Sequence, residues 1–148
     1  LGGRTTGTDA PSETGYARRP GRRVRVPDPG AGHLGGPYDY GALIRNRPAH
    51  SVATFAHNRG TSSLEETYAF AEKLSLAGVL HRLTQPMIVV FGKLDRLVPW
   101  PQAVRVADEA PGASLWMFDE GNHVCMNMTY QWRPQAADWL AERLAGAA

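Results

Sequence analysis

The chain has 148 residues and a formal net charge of +2, from 16 basic and 14 acidic side chains. That length suits one domain with its own core, and so small a net charge does not argue for a nucleic-acid partner. The single cysteine, Cys125, excludes an internal disulfide framework and a multi-cysteine metal site, and no apolar run approaches the roughly 20 residues of a membrane span.

Charge is placed unevenly. Residues 1–50 hold eight arginines against four acids, whereas residues 51–148 hold eight basic residues against ten acidic ones. The first fifty residues read as a basic, Gly/Pro/Arg-rich arm of low structure, with residues 1–37 contributing little to stability. The densest patch is Arg18-Arg19-Pro20-Gly21-Arg22-Arg23-Val24-Arg25-Val26-Pro27, where Val24 and Val26 alternate with Arg23 and Arg25 as in one exposed strand. The arm lacks the interleaved aromatics of a base-stacking surface, so nucleic-acid contact is not the expectation. Gly30-Ala31-Gly32-His33-Leu34-Gly35-Gly36 has no Gly-Lys-Ser or Gly-Lys-Thr ending and does not read as a phosphate loop. Tyr38, Tyr40, Leu43 and Ile44 are the residues that would anchor the arm to a core. No signal-like segment stands near the start, and the first residue is Leu1, so a longer parent is one reading.

Residues 51–148 read as the organised part. Val52, Phe55 and Ala56 give a turn of apolar face, broken at Asn58-Arg59-Gly60. Ser62 or Ser63 caps a helix with Glu65 or Glu66 three positions on. Leu64, Tyr68, Ala71 and Leu74 form its predicted inner face, and Gly78 its end. Met87-Ile88-Val89-Val90-Phe91, bounded by Pro86 and Gly92, predicts a strand buried on both faces, as in a parallel sheet. A helix over residues 102–110 would turn Ala103, Val106 and Ala110 inward. Ser114 to Phe118 predicts the next strand. A last helix would begin near Pro134 with Ala137, Leu140, Ala141 and Leu144 as its stripe, widened by Trp139. The predicted class is α/β: a short parallel sheet flanked by helices. Trp100, Trp116, Trp132 and Trp139 read as core and interface mass.

Right-handed crossovers bring the loops after both strands to one sheet edge. Asp95 follows the first strand and His123 the second. A histidine near neutral pKa relays a proton between nucleophile and leaving group. A buried carboxylate on its other nitrogen fixes the tautomer. Asp95 and His123 fit those roles in the acid-before-histidine order of α/β-hydrolases. On spacing alone, a His123 that satisfies only local hydrogen bonds fits equally well. Cys125 lies too near His123 in sequence to attack across a shared pocket with its help, and it reads as a small buried residue. His33, His50, His57 and His81 show no metal-ligand spacing, and nothing in the sequence asks for a site built from His81, Asp95 and His123.

Three stretches carry a resemblance: Leu76-Ala77-Gly78-Val79 with Pro86 to Pro99, Gly121-Asn122-His123-Val124-Cys125-Met126-Asn127, and Ala137-Asp138-Trp139-Leu140. Together they resemble the C-terminal part of an α/β-hydrolase, in particular the 2,6-dihydroxypseudooxynicotine hydrolase and FrsA-like esterase group. The resemblance implies that Asp95 is the acid and His123 the base of a catalytic triad. It also implies an intracellular, cytoplasmic enzyme that needs no cofactor or metal and hydrolyses an ester, amide or C–C bond of a small-molecule ester or ketone. The two strands would take the last positions of the family sheet, and residues 62–76 the helical segment between nucleophile and acid.

The chain departs from that pattern in having no Gly-x-Ser-x-Gly. Ser12, Ser51, Ser62, Ser63, Ser75 and Ser114 all lack the setting. Three readings stay open: a truncated or remnant hydrolase, weak or inactive by itself; a non-catalytic binding or structural module that reuses the fold; and an active hydrolase with a nucleophile from another chain or an unusual residue. A short parallel sheet leaves edges to cover, so self-association is expected.

Overall fold

A computed structural model describes residues 30–146. The sheet has three parallel strands in the order β1 (Ala31–Leu34), β2 (Met87–Gly92), β3 (Ala113–Phe118). Helices α1 (Tyr40–Ile44), α2 (Ala49–Arg59) and α3 (Leu64–Glu72) fill the crossover from β1 to β2. Helix α4 (Pro101–Glu109) connects β2 to β3, and α5 (Thr129–Gly146) follows β3.

β2 is buried at all six positions because it pairs on both sides and is covered on both faces. Its alternation divides the side chains between two clusters. Met87, Val89 and Phe91 face Tyr38, Leu43, Leu80, Val98 and the inner face of α4, made by Ala103 and Val106 with Ala110 beyond them. Ile88 and Val90 face Cys125, Trp132 and Ala136, with Trp116, Phe118 and Trp139 packed beside them. Each fully buried Val, Ile or Phe contributes about 1.5–3 kcal/mol, so this strand is the centre of the core. The α/β class and the expected inner face of α4 agree with the sequence reading.

The expectation of low structure up to residue 50 is corrected for residues 30–50. β1 pairs in register with β2, from Ala31 opposite Met87 to Leu34 opposite Val90. Tyr38, Leu43 and Ile44 are buried. Tyr38 donates a 2.6 Å hydrogen bond to Glu109 Oε1 beneath the Arg105 guanidinium. A four-residue Ala-Gly-His-Leu edge strand carries no propensity signal, because pairing to β2 stabilises it rather than its own side chains. The Val24–Val26 strand and the basic patch lie outside the described residues.

Three details of the helices also differ from expectation. Ser63 caps α3 as predicted, its Oγ accepting from Glu66 N, while Glu66 Oε2 accepts from Ser62 N. The buried residues of α3, however, are Thr67 and Ala71, and Leu64 is 62% exposed. The helix is capped at Lys73, because the chain there turns to bridge Ser75 to Asp39; Gly78 serves a later left-handed turn. In α5, Pro134 sits inside the helix. Proline has no N–H to donate to the carbonyl four residues back, that of exposed Tyr130, so the helix runs on with one bond fewer on its solvent side. The inward face of α5 is Trp132, Ala136 and Trp139, at spacings of four and three, and Leu140 and Leu144 stay exposed.

Candidate active site

The loops after β2 and β3 meet at the C-terminal edge of the sheet. Their backbones interlock. Lys93 N donates to Phe118 O and Leu94 N to Gly121 O, both at 2.9 Å. Gly92 and Gly121 are in direct contact: a Cβ on Gly121 would lie 2.8 Å from both Gly92 Cα and Cys125 Sγ. Side chains at either position would push the loops apart.

Asp95 sits in a tight turn closed by its own N–H to Gly92 O. Its side chain is fully buried, and Oδ1 accepts from the N–H groups of Leu97 at 2.7 Å and Val98 at 2.9 Å. Oδ2 is thereby aimed at His123, whose Nδ1 donates to it at 2.9 Å. The imidazole is 39% exposed, and Nε2 hydrogen-bonds to none of the described residues. A carboxylate anchored by two backbone donors and one imidazole is an orienting group: it holds the Nδ1–H tautomer and leaves the Nε2 lone pair free to take a proton. The structure thus brings together the two residues singled out in the sequence.

Cys125 does not join them as a nucleophile. Its side chain is buried. Burial, helped by the negative charge of Asp95, pushes the thiol up from its ordinary value, the opposite of what an attacking thiolate needs. The serines among the described residues are also elsewhere. Ser62 and Ser63 lie at the start of α3, Ser51 in α2, Ser75 at the bridge to Asp39, and Ser114 near the opposite end of β3. No group of three or more His, Cys, Asp or Glu side chains among the described residues is arranged to hold a metal. Two surface cavities among the described residues, about 520 and 280 Å³, lie on the α1–α3 segment rather than at His123. No described helix is long and apolar enough to cross a membrane.

The architecture has known counterparts. The crystal structure of the 2,6-dihydroxy-pseudo-oxynicotine hydrolase superposes with a TM-score of 0.67 at 24% identity, over 79% of this chain and 34% of that one. The chain has the fold of the C-terminal part of an α/β-hydrolase. An esterase from Pyrococcus furiosus shares that hydrolase fold at a TM-score of 0.50 and 16% identity, over 76% of this chain and 44% of its own. In sequence, the "Putative carbamate hydrolase RutD" of Pseudomonas savastanoi pv. phaseolicola is 29% identical over 83 residues, 56% of this chain and 31% of the relative. The chain therefore spans about a third of the length of the 2,6-dihydroxy-pseudo-oxynicotine hydrolase and of the RutD relative. No protein-family profile matches it.

One feature of the site escaped the sequence reading. The segment after His123 is held by Asn127, whose Oδ1 accepts from Asn122 N at 2.9 Å and whose Nδ2 donates to Glu120 O at 2.8 Å. Two asparagines five positions apart follow neither the helical nor the strand period, so no periodic pattern marks them.

Proposed function

We propose that Asp95 and His123 form the acid–base half of a hydrolytic triad, and that the parent activity is hydrolysis of an ester, amide or C–C bond through a serine supplied from outside residues 30–146. The observation that carries this is the 2.9 Å bond from His123 Nδ1 to the fully buried Asp95 carboxylate, with Nε2 unpaired among the described residues. A histidine serving only local structure has no need of a buried acid held by two backbone donors, with its other nitrogen facing out. In the proposed step, Nε2 takes the serine hydroxyl proton as the oxygen attacks the carbonyl carbon. It returns that proton to the leaving group when the tetrahedral intermediate collapses. Water then repeats the cycle on the acyl-enzyme, and Asp95 stabilises the imidazolium in both halves. The 148-residue chain by itself is expected to be weak or inactive, because the described residues bring no hydroxyl to His123.

Two assays test this. The chain alone should show no saturable turnover of p-nitrophenyl acetate; robust turnover lost on His123→Ala would refute the inactive reading. In a chimaera that replaces the corresponding C-terminal third of the 2,6-dihydroxy-pseudo-oxynicotine hydrolase with this chain, p-nitrophenyl acetate hydrolysis should reappear. It should then fall by about 10³-fold or more on His123→Ala. A folded but inert chimaera would favour a non-catalytic module.

A further inference from the structure

His123 opens a turn of uncommon backbone geometry. Val124 (φ 58°, ψ 17°) and Cys125 (φ 48°, ψ 38°) both lie in the left-handed region, and neither is glycine. A β-branched residue there is strained, since its Cβ crowds the backbone. Two such residues in succession persist only where the surroundings fix them from several sides. Three ties lie within and behind the turn. Cys125 N donates to Asn122 O, Trp132 Nε1 donates to Cys125 O, and the Cys125 side chain fills a buried slot beside Gly121. The fourth tie is outside: Asn127 and Asn122 clasp the two ends of the turn through reciprocal side-chain-to-backbone bonds of 2.9 and 3.3 Å. Asn127 Nδ2 adds the 2.8 Å bond to Glu120 O. The turn between Asn122 and Asn127 therefore has little freedom to relax, and His123 is the residue that its geometry aims.

We propose that Asn127 is a positioning residue for His123. Its carboxamide closes the 122–127 turn, keeps Val124 and Cys125 left-handed, and so holds the imidazole with Nδ1 on Asp95 and Nε2 outward. Asn127 is exposed, so it does not act by filling the core; the two hydrogen bonds of its carboxamide, to Asn122 N and Glu120 O, are its contribution. The proposal rests on the reading of Asp95 and His123 as an acid–base pair and adds what keeps them paired. Without the clasp, the strain at Val124 and Cys125 is released by turning toward ordinary φ, which rotates the His123 Cα–Cβ bond away from Asp95.

The test reads the tautomer rather than activity. Imidazole ¹⁵N shifts in the full 148-residue chain distinguish Nδ1–H from Nε2–H. The wild type should hold His123 predominantly as Nδ1–H, and Asn127→Ala should bring that form below half, with the β2 amide signals in place. Asn127→Asp keeps the acceptor for Asn122 N and loses the donor to Glu120 O, so it should fall between. Adding Val124→Gly to Asn127→Ala should restore the Nδ1–H form in part, because glycine adopts the left-handed conformation without strain. A folded Asn127→Ala chain whose His123 stays Nδ1–H would overturn the clasp and leave the acid–base pair standing. Should Asn127→Ala fail to fold, the wild-type tautomer in Asn127→Asp would overturn it equally. A wild-type His123 found as Nε2–H would refute the pair itself.

Discussion

Gly92 and Gly121 touch through their backbones, and that contact joins the loop carrying Asp95 to the loop carrying His123. A Cβ on Gly92 would overlap the Gly121 carbonyl, and one on Gly121 would lie 2.8 Å from Gly92 Cα. Neither obstacle is a flexible side chain, so only movement of main chain makes room. Gly92→Ala should destabilise the chain by about 3 kcal/mol or more. By contrast Gly78, at φ 69° with nothing near its Cβ direction, should cost only about 1–2 kcal/mol on change to Ala. Urea midpoints of the two variants check the ranking; equal losses would mean that the loops do not press on one another.

Removal of residues 1–37 takes away β1 and its pairing to β2. The thermal midpoint should fall by about 10 °C or more, since each kcal/mol shifts a domain of this size by several degrees. A midpoint within a degree or two of the full chain would restore the view that these residues are an appendage.

Acid should weaken the fold partly through His33. Burial lowers its pKa below the ordinary value, an effect the bond to Gly36 O offsets only in part. The folded chain therefore keeps His33 neutral, while the unfolded chain takes up a proton near about pH 6.5. The associated stability is present above that pH and is lost as pH falls through it toward the lower folded value. His33→Gln, which keeps a donor for Gly36 O, should lose less stability between about pH 7.5 and about pH 5 than the wild type. An identical slope in the two proteins would remove His33 from the account.

The outer stripe of α5 should make the chain self-associate. Leu140 is 38% and Leu144 57% exposed, alongside Tyr130 at 71%, a row of apolar surface on one helix. Sedimentation velocity at low micromolar concentration should show species larger than the monomer, and Leu140→Lys with Leu144→Lys should return the monomer without loss of helix signal. A wild type that sediments as a single monomer would count against the idea.

The sequence was most legible where local chemistry and tertiary demand agreed. Met87 to Phe91 can hardly be anything but a strand buried on both faces, and a turn beyond it places Asp95. Ala103, Val106 and Ala110 were readable for the same reason. β1 was not, because Gly32 and exposed Leu34 carry no strand signal and the pairing partner comes later in the chain. α5 misled through Pro134: starting the helix there selects the Leu140–Leu144 stripe, whereas the helix begins earlier and turns Trp132 and Trp139 inward. The pairing of Asp95 with His123 followed from topology, while the Asn122–Asn127 clasp depends on a turn conformation that no residue pattern announces.

The pairing of residues 31–34 with residues 87–90 has a consequence in time. During synthesis β1 emerges long before the strand that stabilises it, and closing so long a loop costs entropy that only the finished sheet offsets. The α1–α3 segment has its own small cluster of Ile44, Val52 and Ala71 and can gather meanwhile. The carbonyl of Cys125, two residues past His123, still waits for Trp132 of α5. Asp95 and His123 are therefore expected to meet last, after the helices and the central strand. On refolding, the slow phase should be the one that buries Trp132, with far-ultraviolet helix signal largely recovered before it.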